Sequence, residues 1–192
     1  DKGVLANCHV NVLQTQDHPQ FKTYSEELKW LTTDSARMSW VANTIKDIST
    51  SGNTLILVDR ISAGEILNKK LKDSVFISGS TKNLERKEHY DEVSTTQNKI
   101  IIATYGVASV GINIPRIFNL VLIEPGKSFV RVIQSIGRGI RKAEDKENVQ
   151  IWDITSSCKF AKRHLGARKK FYKEANYPYN IEKIDYENPY TR

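Results

Sequence analysis

Short, almost uninterrupted apolar runs that alternate with helix-like stretches constrain this chain more than any other feature. Thr54-Leu55-Ile56-Leu57-Val58, Val75-Phe76-Ile77, Lys99 to Ala103, Leu120 to Ile123 and Val149 to Ile154 are rich in β-branched residues and too short for buried helices. Between them, Ser62 to Leu71, Leu84 to Val93 and Phe129 to Ile136 read as helices. A strand with one wet face alternates apolar and polar residues; these runs are apolar on both faces, as parallel strands covered by helices on each side must be. The expectation is an α/β fold of three layers around a mainly parallel central sheet. Ligands of such sheets bind in loops at the carboxyl ends of the strands. The residues after Val58, Ile77, Ala103 and Ile123 are therefore the informative ones.

The ends of the chain are less regular. Leu5 to Leu13 alternates partly and reads as a strand, which the polar stretch Gln14 to Gln20, with Asp17 and Pro19, then breaks. A helix is expected from about Asp34, capped by Thr33, with Met38, Val41, Ala42, Ile45 and Ile48 on one face. A basic helix follows Lys159, and Asn176 to Arg192 reads as a strand or extended tail packing back.

The net charge of +7 points either to a polyanionic partner or to a merely basic enzyme. Cys8 and Cys158 stand far apart with no metal-ligand spacing around them, which fits a reduced, cytosolic protein and excludes a zinc site of the usual kind. No apolar run approaches the ~20 residues that span a bilayer. The chain starts at Asp1 without Met or a signal pattern and reads as part of a longer polypeptide.

Gln134-Ser135-Ile136-Gly137-Arg138-Gly139-Ile140-Arg141-Lys142 carries the strongest chemical signal. Glycines let a phosphate approach the backbone, each guanidinium can grip phosphate oxygens bidentately, and the Gln can orient a water. Together these groups suit stabilisation of a transferring γ-phosphoryl group. The same spacing also describes a basic helix end with a glycine break. Upstream, Ala103 to Pro115 follows a strand; Thr104 offers a small hydroxyl where a binding loop should begin, and Gly111-x-Asn113-x-Pro115 describes either a tight ligand loop or an ordinary turn. A Walker A loop needs Gly-x4-Gly-Lys-Ser/Thr. Gly126-Lys127-Ser128 lacks the first Gly, because Val121 occupies that place inside a strand.

The order of these segments resembles superfamily 2 helicases. Ala103 to Pro115 and Gln134 to Arg141 look like motifs V and VI, Thr54 to Leu67 is similar to motif IV, and Ile77-Ser78-Gly79-Ser80 to motif IVa, so that the likeness covers about residues 50 to 155. Motif VI begins with Gln rather than the His-Arg of DEAD-box proteins, and the chain most resembles the UvsW-type recombination helicases of T-even phages. The resemblance implies a RecA-like, P-loop-NTPase-type domain without its own Walker A. It further implies the C-terminal motor half of an ATP-dependent DNA helicase acting on branched DNA in recombination, repair and stalled-fork processing. Arg138 and Arg141 would reach the ATP γ-phosphate with Gln134 beside it, and Gly111, Asn113 and Gly137 would line the nucleotide side. Many relatives have Asp where this chain has Asn113. Arg60, Ser78, Gly79, Ser80 and Thr104 would touch the nucleic-acid backbone.

On this reading residues 1–33 lead in from a missing N-terminal motor domain, 34–156 are the motor domain, and 157–192 pack on it as a basic helix and extension. ATP and Mg2+ would be held mainly by the first motor domain, so this fragment alone should not hydrolyse ATP. The expected partners are DNA and that first domain, with no membrane, in the cytoplasm of a bacterial host. Between Lys159 and Lys173 stand seven Lys/Arg and no acid. Lys162, Arg163 and Lys169 are candidates for a nucleic-acid backbone, or for a solvated face of a helix whose aromatics are core. Two other readings compete. A non-catalytic nucleic-acid-binding module with a retained motor fold would not need the Gln134, Arg138 and Arg141 spacing, and a doubly wound metabolite enzyme would carry a Gly-x-Gly-x-x-Gly that is absent.

Overall fold

The computed structural model describes residues 8–93, 95–112, 114, 116–126, 129–140 and 149–187, the last four residues of 129–140 by backbone alone. β1 (Cys8–Thr15) leads to α1 (Tyr24–Thr33) and α2 (Ser35–Ser49). β2 (Thr54–Val58), α3 (Ile61–Lys70), β3 (Val75–Ile77), α4 (Asn83–Val93), β4 (Ile100–Thr104) and α5 (Tyr105–Ser109) follow. The chain then runs through β5 (Asn119–Ile123), α6 (Phe129–Ile140), β6 (Val149–Ser156), α7 (Lys159–Glu174) and β7 (Tyr179–Ile184). The strands form one sheet in the order β3-β4-β2-β5-β6-β1-β7, and every pairing is parallel.

The pleat sorts the apolar runs into two cores. Leu55, Leu57, Ile101, Ala103, Leu120 and Leu122 meet α5, α6 and α7 through Val107, Phe129, Ile133 and Tyr172. Ile56, Val58, Ile102, Val121 and Ile123 meet α2 and α3 through Met38, Ile45, Ala63 and Leu67. Both faces are covered, which is why β2 and β5 are buried at all five positions. Asn53, fully buried just before β2, ties the sheet to its loops. Its Nδ2 lies 3.0, 2.9 and 3.2 Å from the carbonyls of Val93, Thr96 and Arg116, and its Oδ1 accepts from Lys99 N at 2.7 Å.

Several local expectations need correcting. Residues 24–33, read as part of an irregular lead-in, form α1: Thr23 caps it, accepting from Glu26 N at 3.2 Å, and Leu28 and Leu31 are buried beneath it. The cap of α2 is Asp34, which accepts from Arg37 N at 3.0 Å, and not Thr33, whose hydroxyl turns back to Lys29 O at 2.6 Å within α1. The extended backbone of Asp34 lets its carboxylate reach the first turn. The segment after Ala103 begins as a helix rather than a loop. Among the described residues β1 spans Cys8–Thr15, running past Leu13 into the stretch expected to break it, and lies inside the sheet between β6 and β7; β7 is the strand into which the tail folds back. Cys8 and Cys158 are free and buried. Among the described residues, no helix is long and apolar enough to cross a membrane.

Candidate functional site

Because β3, β4, β2 and β5 are neighbours and parallel, their carboxyl ends share one edge of the sheet. Ser78 to Ser80 follow β3, Thr104 ends β4, Arg60 follows β2 and Glu124 follows β5, so residues far apart in sequence stand along one edge. The Ser78 and Ser80 hydroxyls lie 2.9 Å apart, and Arg86 donates from α4 to the carbonyls of Ser78 at 3.0 Å and Gly79 at 3.3 Å. That guanidinium braces the turn, while the space over Gly79 is open to 4 Å. Thr104 caps α5, its Oγ1 accepting from Val107 N at 3.2 Å, which leaves its O–H free to donate outward. Arg60 begins α3 half-exposed, 3.5 Å from Asp59 and within 3.2 Å of Ser25 Oγ.

The second group of residues lies on α5 and α6. Gly111 has φ +104, a left-handed backbone that suits glycine, with nothing within 4 Å of where a Cβ would stand. Ser135 of α6 donates to Ser109 O at 3.2 Å and so pins the two helices together. Val132, Ile133 and Ile136 are buried beneath α6, and Gln134 is exposed. Gly137 and Arg138 continue the α6 backbone, position 138 one turn beyond Gln134, but their side chains lie outside the described residues, as do Arg141 and Asn113 entirely.

A cavity of 530 Å³ opens in the same edge, lined by Tyr24, Asp59, Tyr105, Glu124, Gly126, Phe129, Phe160, Arg163 and His164. Sequence reading named only Arg163 among these as a site residue, since the rest converge from five separate segments. Glu124 is the chemically unusual member: it is 5% exposed, has φ +45 and hydrogen-bonds the fully buried Arg37. Burial pushes its carboxyl up to about 7, against the opposing pull of Arg37 and Arg168. Arg37 is further held by Thr15 Oγ1 at 3.0 Å and the carbonyls of Leu31 and Thr155 at 2.6 and 3.2 Å.

One wall of the cavity belongs to α7. Its first turn is capped by Glu27 of α1, whose Oε1 and Oε2 accept from Phe160 N at 2.9 Å and Ala161 N at 2.8 Å. Lys162 and Arg163 are exposed and Lys169 half-exposed. Arg168, part of the same basic run, is instead inside, forked on Asp153 at 2.7 and 2.9 Å and donating to Pro125 O at 2.6 Å, while Tyr172 donates to Asp153 at 2.6 Å. The run thus divides between a structural anchor and a solvent-facing set.

Comparison with known proteins follows the same lines. Residues 36–143 match the helicase conserved C-terminal domain. The chain is 30% identical over 155 residues to the ATP-dependent DNA helicase uvsW of Enterobacteria phage T4, covering 78% of this chain and 31% of that protein. It is 31% identical over 104 residues to putative helicase 22 of Sulfolobus islandicus filamentous virus (isolate Iceland/Hveragerdi), 52% of this chain and 18% of that one. The chain therefore spans a third or less of these curated relatives. The crystal structure of T4 UvsW superposes with a TM-score of 0.80 at 21% identity, over 93% of this chain and 42% of that one. The C-terminal domain of the DEAD-box protein Dbp5 gives 0.60 at 19% identity, over 95% and 92%. The fold is the RecA-like three-layer domain that these structures share.

Proposed function

This chain belongs to the helicase conserved C-terminal domain family, and on that premise we propose that it is the second motor domain of an ATP-dependent DNA helicase or translocase acting on branched DNA in recombination, repair and stalled-fork processing. The observation that carries the proposal is the joining of two kinds of residue on one sheet-based domain. The edge formed by Arg60, Ser78 to Ser80 and Thr104 offers hydroxyls, open backbone and a cation for a phosphodiester. α6, pinned to α5 by Ser135, carries the exposed Gln134 and continues through position 138, the residues that in this reading serve the nucleotide.

In this reading Arg138 and Arg141 stabilise charge on the γ-phosphate, Gln134 orients the attacking water, and Gly111, Asn113 and Gly137 let the nucleotide approach the backbone. The bare φ +104 backbone of Gly111 and the exposed Gln134 fit that role. ATP with Mg2+ is the substrate, held mainly by the Walker A domain this chain lacks, so the chain alone leaves ATP intact. Repeated closing and opening of the cleft between the two domains, each gripping the backbone, moves the protein along DNA largely without regard to base sequence. Lys162, Arg163 and Lys169 extend the track electrostatically. Residues 34–156 carry the motifs of the motor body, β1 and β7 extend its sheet beyond β6, and α7 covers it. Since β1 is an inner strand, we place the boundary toward a preceding motor domain before Cys8 rather than at 33. The cytoplasm of a bacterial host suits two buried free thiols.

The test is ATP turnover by a polypeptide carrying this chain together with its Walker A domain, with and without branched DNA. Arg138→Ala should lower turnover about 10³-fold while DNA retention at fixed salt is unchanged. Normal turnover in the variant, or no DNA-stimulated turnover in the parent, replaces the motor with a nucleic-acid-binding module.

A further inference from the structure

We infer that the cavity in the carboxyl edge receives one unstacked nucleobase from the strand gripped by that edge, an inference that rests on the nucleic-acid reading above. Its 530 Å³ falls in the ~300–1,000 Å³ range of sites for small organic groups. A base needs flat apolar faces, acceptors for its ring or exocyclic N–H groups and a cation near its own phosphate. Tyr24 and Phe160 supply faces on one wall, their ring centroids 6.3 Å apart and their planes tilted by 53°, and His164 meets Tyr24 edge-on at 4.8 Å. Tyr105 and Phe129 line the same cavity, and Tyr105 is held by its hydroxyl donating to Ile123 O at 2.9 Å.

The acceptors are Glu124 and Asp59. Each already has an arginine partner, Arg37 for Glu124, which also accepts from Thr155 Oγ1 at 3.4 Å, and Arg60 at 3.5 Å for Asp59; these offset their repulsion of a phosphodiester while leaving lone pairs for a base N–H. Arg163 and Lys159 flank Phe160, each 5.5 Å from its ring centre, where they can meet the phosphate of the same nucleotide. Gly126 keeps the wall open: a Cβ there would come within 3.0 Å of the Tyr24 hydroxyl. An aromatic-walled cavity with sheltered acceptors and cations at its side lies beside the proposed backbone track. Stacking on aromatic rings tolerates any base, as a translocating protein requires.

The experiment titrates the chain with a fluorescein-labelled single strand, with an abasic strand of equal length and charge, and with AMP as competitor. The base-containing strand should bind about tenfold more tightly than the abasic one. Phe160→Ala should remove that difference, and so should Gly126→Ala, which narrows the cavity without deleting a wall. Equal affinity of the two strands for the unaltered chain overturns the inference and leaves the nucleic-acid reading standing. Failure of both strands to bind at low salt overturns the reading itself. Displacement of the strand by micromolar AMP assigns the cavity to a free nucleotide and overturns the strand as its source.

Discussion

Replacing Glu27 by alanine tests how α7 is held over the sheet. The Glu27 side chain is 1% exposed, and its two oxygens accept from the N–H groups of Phe160 and Ala161. The N-cap residue of α7, Cys158, offers no side-chain bond, so this distant carboxylate does the capping, at the positive end of a 16-residue helix. Hydrogen bonds to a charged group contribute about 1.5–3 kcal/mol each. Water entering the vacated space recovers part of that, which leaves a net loss of about 3 kcal/mol for Glu27→Ala. For a domain of this size each kcal/mol moves Tm by about 2–4 °C, so the variant should melt about 6–12 °C lower. Glu27→Gln keeps one acceptor and turns an NH2 toward a donor, and should lose roughly half as much or more. Urea unfolding followed by tryptophan fluorescence reads both variants. A Glu27→Ala midpoint corresponding to less than about 0.5 kcal/mol, with an unchanged denaturant slope, would show that solvent caps α7 equally well and refute the reasoning.

Two further outcomes follow from the same geometry. Because the Glu124 carboxyl rises from 4.5 to about 7 on folding, its protonation contributes stability that is complete below 4.5 and lost as pH climbs toward 7. Glu124→Gln should therefore flatten the decline in stability across that window, and urea midpoints at pH 5 and pH 8 that fall in parallel for both proteins would count against it. Asn53→Ala leaves partners from two connections, α4–β4 and α5–β5, unsatisfied and should cost at least about 3 kcal/mol. Amide exchange should rise first around Val93 to Lys99, and uniform exchange across the chain would contradict the hub role of this side chain.

The parts of the fold legible in the sequence were those whose burial is symmetrical. β2, β4 and β5 are apolar on both sides because helices cover both faces, and this pattern needs no partner to be recognised. The strand ends then located Arg60, Ser78 to Ser80 and Thr104 on one edge. α1 escaped because its buried apolar face is small, although Thr23 followed three residues later by Glu26 is a capping pattern that could have revealed it. Arg168 reads as one more charge of a basic helix, since its destination depends on Asp153, a residue of β6 that periodicity cannot connect to it. The cavity was unreadable for the same reason: α1, the β2 and β5 loops, α5 and α7 meet only in three dimensions.

The placement of β1 also dictates an order of events. Cys8 stands opposite Val149 on one side and Val10 opposite Tyr179 on the other, so β1 has no neighbour until β6 and β7 have been made. Synthesis at ~5–20 residues per second leaves Val10, Val12 and Leu13 waiting, while β2, β3, β4 and β5 already have one another. Pairings this distant in sequence slow folding. A chain that stops before Val149 displays an orphan apolar strand, ready to join the edge of another molecule. Emergence of β6 and β7, rather than early collapse, is the moment at which this domain closes.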